Sequence, residues 1–154
     1  MTDDEERYTF SSLMTLLVES ESRLKQLYET TAETTSQPNL KSLLSDFAKS
    51  SSRTMQMMRR VRVESVVEIA LEPISGLKLA ELVAIINITV ETRQVSNIEK
   101  LMALERTVSD LYARASPKIA RISAEAGQLL RTLPRESIDR VHELKRFIWV
   151  ERSF

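Results

Sequence analysis

The sequence contains an internal repeat, and this repeat limits the possible fold more than any other feature of the chain. Residues 21–28 recur in type as residues 105–112, at an offset of 84 positions. Residues 43–47 recur as residues 129–133, at an offset of 86 positions. In both copies the apolar residues follow the three- and four-residue spacing of an amphipathic helix. Two copies of one helical hairpin predict a four-helix bundle.

The composition favours a single all-α domain. At 154 residues the chain is long enough for one hydrophobic core. Its 2 Gly and 4 Pro are few, and the helix formers Leu, Glu, Arg, Ala and Met are abundant. The 22 basic and 22 acidic residues cancel, which argues against nucleic acid as a partner. We therefore predict an all-α fold with no nucleic-acid partner.

The sequence also predicts a cytoplasmic protein with no membrane partner. The chain has no Cys and can form neither a disulfide nor a thiolate metal site, which fits a reducing compartment. Residues 1–7 are acidic and charged, unlike a secretory signal. The longest apolar run, residues 79–90, is too short to span a bilayer.

Apolar periodicity and breaker residues divide the single domain, residues 1–154, into five segments. These are a flexible tail (1–10), a first hairpin (12–72), a crossover (73–95), a second hairpin (96–148) and an apolar C-terminal tag (149–154). The crossover is expected to contain a short helix within residues 77–90 and to let the third helix run parallel to the second. The tag is expected to pack on the bundle or to form a dimer contact.

Caps and prolines predict where the long helices begin and end. The first helix is expected to begin at residues 11–12, and the second to run as far as residues 69–71. A capping box at residues 96–99 should open the third helix. Pro117 is expected to end or kink the third helix, and Pro134 to kink the fourth helix or split it in two.

The spacing of glutamate and tyrosine within the repeat carries a resemblance to a known family. Glu21 precedes Tyr28 by seven residues, and Glu105 precedes Tyr112 by seven. With the duplicated hairpin and the long crossover, this pattern resembles the ferritin-like superfamily, especially its rubrerythrin-type members, over residues 12–148. The resemblance implies a di-iron centre to which helices 1 and 3 each supply one glutamate, and helices 2 and 4 each supply a Glu-x-x-His pair.

The register of the hairpins indicates that the ligands from helices 2 and 4 have been lost. Antiparallel helices bring residues to equal height when both lie equally far from the turn, which places Ser51 and Thr54 opposite Glu21. The resemblance implies Glu and His at these positions, and in the second copy they are Ser137 and Arg140. Hydroxyls are poor iron ligands, and a guanidinium opposes metal binding. We therefore expect no standard di-iron centre.

The first hypothesis for the surviving glutamates is an ion pair in place of the metal. In this hypothesis Glu21 and Glu105 are buried and paired with Arg53 or Arg140, because an unpaired buried charge is costly. Both tyrosines of the repeat then lie in the core, with their hydroxyls bonded to the two carboxylates.

The second hypothesis is a reduced metal site that uses the single histidine of the chain. A shift of two residues in helix 4, provided by a kink at Pro134, would turn Asp139 and His142 inward. Together with Glu21 and Glu105 they could hold one iron, manganese or zinc ion. The competing interpretation leaves Asp139 and His142 on the bundle surface.

These patterns support two functions of different classes and leave open whether the protein is an enzyme. The first is a non-catalytic helical scaffold or interaction protein, a homodimer that carries no cofactor. The alternative is a rubrerythrin-like protein that binds iron or manganese and acts on oxygen or peroxide. A regulator that binds through the basic residues 59–62 is a third option, which would need a wider basic surface.

Overall fold

The architecture is a bundle of four long helices with a small antiparallel sheet at one end. The computed structural model describes residues 7–91 and 98–148. Its elements are β1 (Arg7–Thr9), α1 (Phe10–Thr34), α2 (Pro38–Glu64), α3 (Val67–Ala70), β2 (Pro73–Ser75), α4 (Ala80–Glu91), α5 (Ile98–Ile122) and α6 (Ala124–Lys145). The expected all-helical character is confirmed, whereas the two short strands were not expected. No helix in the described part of the chain is both long and apolar enough to cross a membrane.

The four long helices form two antiparallel hairpins that share one core. Helices α1 and α2 are joined by residues 35–37, and α5 and α6 by Ser123 alone. Tyr28 contacts Glu105 and Tyr112 contacts Glu21, so α1 and α5 run in opposite directions. Helix α2 therefore runs parallel to α5, as expected for a long crossover. Within that crossover, α4 packs against α1 and α5.

The N-terminal segment is held in place from residue 7 onward, so the prediction of a tail through residue 10 is wrong. Strand β1 pairs with β2, with Tyr8 opposite Ile74. Helix α1 begins one residue earlier than expected, because the Thr9 side chain accepts a hydrogen bond of 3.0 Å from the Ser12 amide. The Ser12 hydroxyl oxygen accepts one of 2.9 Å from the Thr9 amide in return. The amide of Phe10 also donates to the Glu72 carbonyl, 2.9 Å away.

Neither internal proline ends a helix, so the predicted end at Pro117 and the predicted split at Pro134 are wrong. Helix α5 continues past Pro117, and α6 runs through Pro134 without a break. A proline inside a helix costs roughly 3 kcal/mol. Here Ala115 and Ile119 flank Pro117 and are fully buried, and Leu133 beside Pro134 is also buried. Burial of such side chains offsets a local cost of this size.

The other boundaries shift by a few residues. Helix α2 ends at Glu64 rather than at residues 69–71, and the short α3 follows it. The crossover helix spans Ala80–Glu91 and so ends one residue beyond the predicted segment 77–90. The expected capping box at residues 96–99 and the C-terminal tag at residues 149–154 lie wholly or partly outside the described residues.

The α5–α6 junction depends on Gly127 having no side chain. A Cβ atom at this position would lie 2.5 Å from the Cα atom of Ala120, which belongs to the backbone and cannot simply rotate away. We expect Gly127→Ala to lower the free energy of unfolding by about 1–3 kcal/mol through overpacking, although alanine is the better helix former. Urea denaturation followed by circular dichroism measures this change.

The matched control is Gln128→Ala, at an exposed position of the same helix turn. It should change the stability by less than about 0.5 kcal/mol. A Gly127→Ala protein as stable as the native one would show that the two helices are not in close contact at this point.

Candidate functional site

Two glutamates and two tyrosines converge in the middle of the bundle. Glu21 and Tyr28 lie two turns apart on one stripe of α1, and Glu105 and Tyr112 occupy the same relation on α5. All four side chains are buried. One carboxylate and one phenol from each half of the chain therefore meet in the core.

The tyrosines and glutamates are hydrogen-bonded across the two halves, as the ion-pair hypothesis predicted. The Tyr28 hydroxyl donates to Glu105 Oε1 over 2.8 Å. The Tyr112 hydroxyl donates to Glu21 Oε1 in the reciprocal bond. Each carboxylate is thus fixed by a phenol from the opposite hairpin, which ties the two hairpins together.

The guanidinium of Arg140 lies between the two carboxylates. Its Nη1 atom is 3.2 Å from Glu105 Oε1 and 3.8 Å from Glu21 Oε2. Its Nη2 atom donates to the Ser50 hydroxyl oxygen, 2.8 Å away. The Arg140 side chain is only 10% exposed. The prediction that an arginine pairs with these glutamates is confirmed for Arg140, whereas Arg53 is exposed to solvent.

Two aromatic rings complete the surroundings of the guanidinium. The Arg140 Cζ atom lies 5.9 Å from the ring centroid of Tyr28 and 5.6 Å from that of Phe47. The two rings contact each other at 5.4 Å between centroids. A cation over an aromatic face is stabilised by the ring quadrupole. Phe47 and Ser50 were not predicted from the sequence, because neither occupies a position at which the resemblance implies a metal ligand.

The cluster is asymmetric at one pair of positions. At the repeat offset of 86, Ser51 corresponds to Ser137 and Thr54 to Arg140, and all four are buried. One half therefore supplies a cation where the other supplies a hydroxyl. Two carboxylates share a single guanidinium, and the Glu21 Oε2 and Glu105 Oε2 atoms have no hydrogen-bond partner within the described structure.

Burial within the cluster changes the acidity of one carboxyl group. Burial raises the pKa of Glu105, Arg140 opposes that change, and the nearby Glu21 carboxylate adds to it, which brings the pKa from 4.5 to about 7. Burial and the neighbouring carboxylates also hold the pKa of Tyr28 and Tyr112 well above the ordinary value. Both phenols therefore remain protonated donors.

Arg140 stays charged in this environment. Burial alone would lower the pKa of its guanidinium, but Tyr28, Glu105 and Glu21 raise it, and the net pKa lies above the ordinary value. The cation is therefore a permanent part of the cluster at any pH at which the protein folds.

The proposed reduced metal site is not assembled. Glu21 and Glu105 lie together in the core, whereas Asp139 and His142 are exposed on α6. The physical reason is that the register of α6 turns Ser137 and Arg140 inward, so the two-residue shift that would turn Asp139 and His142 inward does not occur. Among the described residues, no group of three His, Cys, Asp or Glu side chains could hold a metal ion.

The residues around the two carboxylates also do not fit the di-iron centre that the resemblance implies. The positions expected to supply Glu-x-x-His pairs hold Ser51, Thr54, Ser137 and Arg140, and the guanidinium of Arg140 contacts both surviving glutamates. A fixed cation at this distance repels a metal cation, and hydroxyls replace its strongest ligands.

Comparisons with known proteins add no family to these observations. No protein-family model, no curated protein and no solved structure matches the chain.

Proposed function

We propose that this protein is a degenerate relative of the ferritin-like superfamily that acts, without catalysis, as a helical scaffold or interaction protein. The duplicated hairpin, the long crossover between α2 and α5, and the reciprocal glutamate–tyrosine bonds support this relation. The absence of cysteine fits a cytoplasmic location.

The observation that carries the proposal is the position of Arg140. Its guanidinium contacts Glu21 and Glu105, the two carboxylates that the resemblance assigns to the metal. The guanidinium neutralises one carboxylate directly. Its Nη2 atom also donates a hydrogen bond to the hydroxyl oxygen of Ser50 on α2. The cluster thus links α1, α2, α5 and α6 and gives the bundle a structural bond where relatives would hold a redox centre.

The cluster is also poorly placed for chemistry on a substrate. Glu21, Glu105, Tyr28 and Tyr112 are each at most 2% exposed, so a substrate has no direct route to them. A surface groove of about 440 Å³ lies between α1 and α2, but its walls are formed by other residues. Lys25, Glu29, Ala32, Glu33, Lys41, Ser45, Ala48, Lys49 and Ser52 line this groove.

Metal analysis tests the proposal. We expect the purified protein to contain no stoichiometric iron, manganese or zinc, even after incubation with Fe(II) or Mn(II), because Arg140 occupies the place of the cation. Elemental analysis by mass spectrometry measures the content. A variant that rebuilds the implied ligand set, with Ser51→Glu, Thr54→His, Ser137→Glu and Arg140→His, is the positive control and should bind iron.

The opposite result would establish the alternative function. Stoichiometric metal in the native protein that is lost in His142→Ala would show a metal site involving His142 and would direct attention to oxygen or peroxide as substrates. Arg53→Ala, which changes an exposed cation on α2, serves as the matched variant that should leave the metal content unchanged in either case.

A further inference from the structure

The surface groove between α1 and α2 has the size of a small-molecule site. Its volume is about 440 Å³, which lies in the range of pockets that hold small ligands. Ala32 and Ala48 line it and are only 7% and 6% exposed, so they form its floor. Because both side chains are small, the two helices leave a recess that longer side chains would fill.

Two lysines face each other across this groove. The ring of Tyr28 on α1 contacts that of Phe47 on α2, which fixes the relative height of the two antiparallel helices. Lys25 lies three residues before Tyr28, and Lys49 lies two residues after Phe47. Each residue adds the same rise along a helix, so the two lysines stand at about the same height on opposite walls. One end of the groove is therefore basic.

The next turn of the groove offers hydrogen-bond acceptors instead. Glu29 lies four residues after Lys25 on α1, so its carboxylate is about 6 Å along the groove from the basic end. On the facing wall, the Ser45 hydroxyl donates to the Lys41 carbonyl over 2.9 Å. That bond uses the hydroxyl proton, so the Ser45 oxygen remains an acceptor. This part of the groove suits a group that donates hydrogen bonds, such as an ammonium.

The basic end suits a phosphate group. Lysine ammonium groups bind phosphate as point charges, and the Ser52 hydroxyl, one turn beyond Lys49 on the same wall, is a further donor. Two like charges at one height repel each other, and an anion between them replaces this repulsion by attraction. Within residues 7–91 and 98–148, no ion pair joins the two walls. The lining charges therefore remain available to a ligand.

We propose that this groove binds a small phosphate monoester that carries a primary amine. The phosphate lies between Lys25 and Lys49, with the Ser52 hydroxyl as a further donor. The amine lies against the Glu29 carboxylate and the Ser45 hydroxyl oxygen, about one helical turn away, a distance that a two-carbon chain spans. Three lysines and two glutamates line the groove, so its net charge of +1 complements such a ligand. The groove is separate from the core cluster, and binding here does not depend on whether the core holds a metal.

Titration of phosphoethanolamine into the isotope-labelled full chain, followed by amide chemical shifts, tests this site. We expect saturable shifts at the residues of α1 and α2 that line the groove. Ethyl phosphate, which has no amine, should bind about tenfold more weakly because it makes no bond with the Glu29 carboxylate. Lys49→Gln should weaken the binding of both probes about tenfold, because it removes a charged donor to the phosphate.

Two further variants separate this site from a general attraction between charges. In Glu29→Gln the two probes should bind with equal affinity, because the amine has lost its charged partner. The matched control is Arg53→Gln, which removes an exposed cation four residues from Lys49 that does not line the groove. It should leave the binding of both probes unchanged. Circular dichroism verifies that all the variants remain folded.

Vesicles that contain phosphatidylethanolamine distinguish two sources of the same chemistry. Binding of both the soluble probe and these vesicles, lost in Lys49→Gln, would assign a lipid headgroup, whereas binding of the soluble probe alone would assign a free phosphate monoester. Three results would overturn the proposal. These are a native protein with no saturable binding of phosphoethanolamine, equal weakening by Arg53→Gln and Lys49→Gln, and a preference for the amine that persists in Glu29→Gln.

Discussion

Replacement of Arg140 by methionine is expected to lower the free energy of unfolding by about 3–5 kcal/mol. Methionine preserves much of the apolar stem but removes the one cation within residues 7–91 and 98–148 that contacts Glu21 and Glu105. Two buried carboxylates would then face each other without compensation, and Ser50 would lose its bond to the guanidinium. Urea denaturation at pH 7.5 measures the loss.

Two further variants identify the cause of this loss. Arg53→Met removes an exposed arginine and should change stability by less than about 0.5 kcal/mol. Addition of Glu21→Gln and Glu105→Gln to Arg140→Met should recover most of the stability, because no buried charge then remains unpaired. If Arg140→Met were as stable as the native protein, Arg140 would not be the counter-ion of the cluster.

The free energy of unfolding is expected to fall by about 2–3 kcal/mol as the pH rises from 5 to 8, because of Glu105. The pKa of this carboxyl is raised from 4.5 to about 7 in the folded protein. Between these two values the folded state retains a proton that the unfolded state has lost. The contribution is therefore complete below pH 4.5 and is lost as the pH rises through about 7.

The groups around Glu105 determine the design of this pH experiment. Tyr28 and Glu21 face it from α1, Tyr112 lies on its own helix, and Arg140 faces it from α6. Because both phenols and the guanidinium keep their protonation state over this range, the difference between the native protein and Glu105→Gln isolates the carboxyl. The native curve should decline relative to that of Glu105→Gln. Parallel curves, or a native stability that rises with pH relative to the variant, would contradict the raised pKa.

Much of the candidate site could be predicted from the recurring glutamate–tyrosine spacing and the hairpin register. A seven-residue spacing places each glutamate and its tyrosine on one helix stripe, and the hairpin register brings Arg140 to the same height as Glu105. The same offset of 86 also relates Arg53 to Asp139, and both are exposed. Because Asp139 lies on the outer face of α6, the repeat offset also places Arg53 on the outer face of α2, away from the two glutamates.

Other features depended on contacts between residues far apart in the chain. Strand β1 forms only because residues 7–9 meet residues 73–75, and neither segment has a strong strand pattern alone. Ser50 was not identified because only the approach of α6 makes its hydroxyl a partner for Arg140. Such pairings depend on tertiary packing rather than on local preference.

The sequence by itself determined the helical class and indicated that Glu21, Tyr28, Glu105 and Tyr112 lie in the core, because these follow from periodicity within single helices. Only the tertiary structure decided that α5 and α6 continue through Pro117 and Pro134. The reason is that a local proline penalty of roughly 3 kcal/mol competes with core packing that the local sequence does not reveal. The register that α6 keeps after Pro134 leaves His142 in solvent and places Arg140 between the two glutamates.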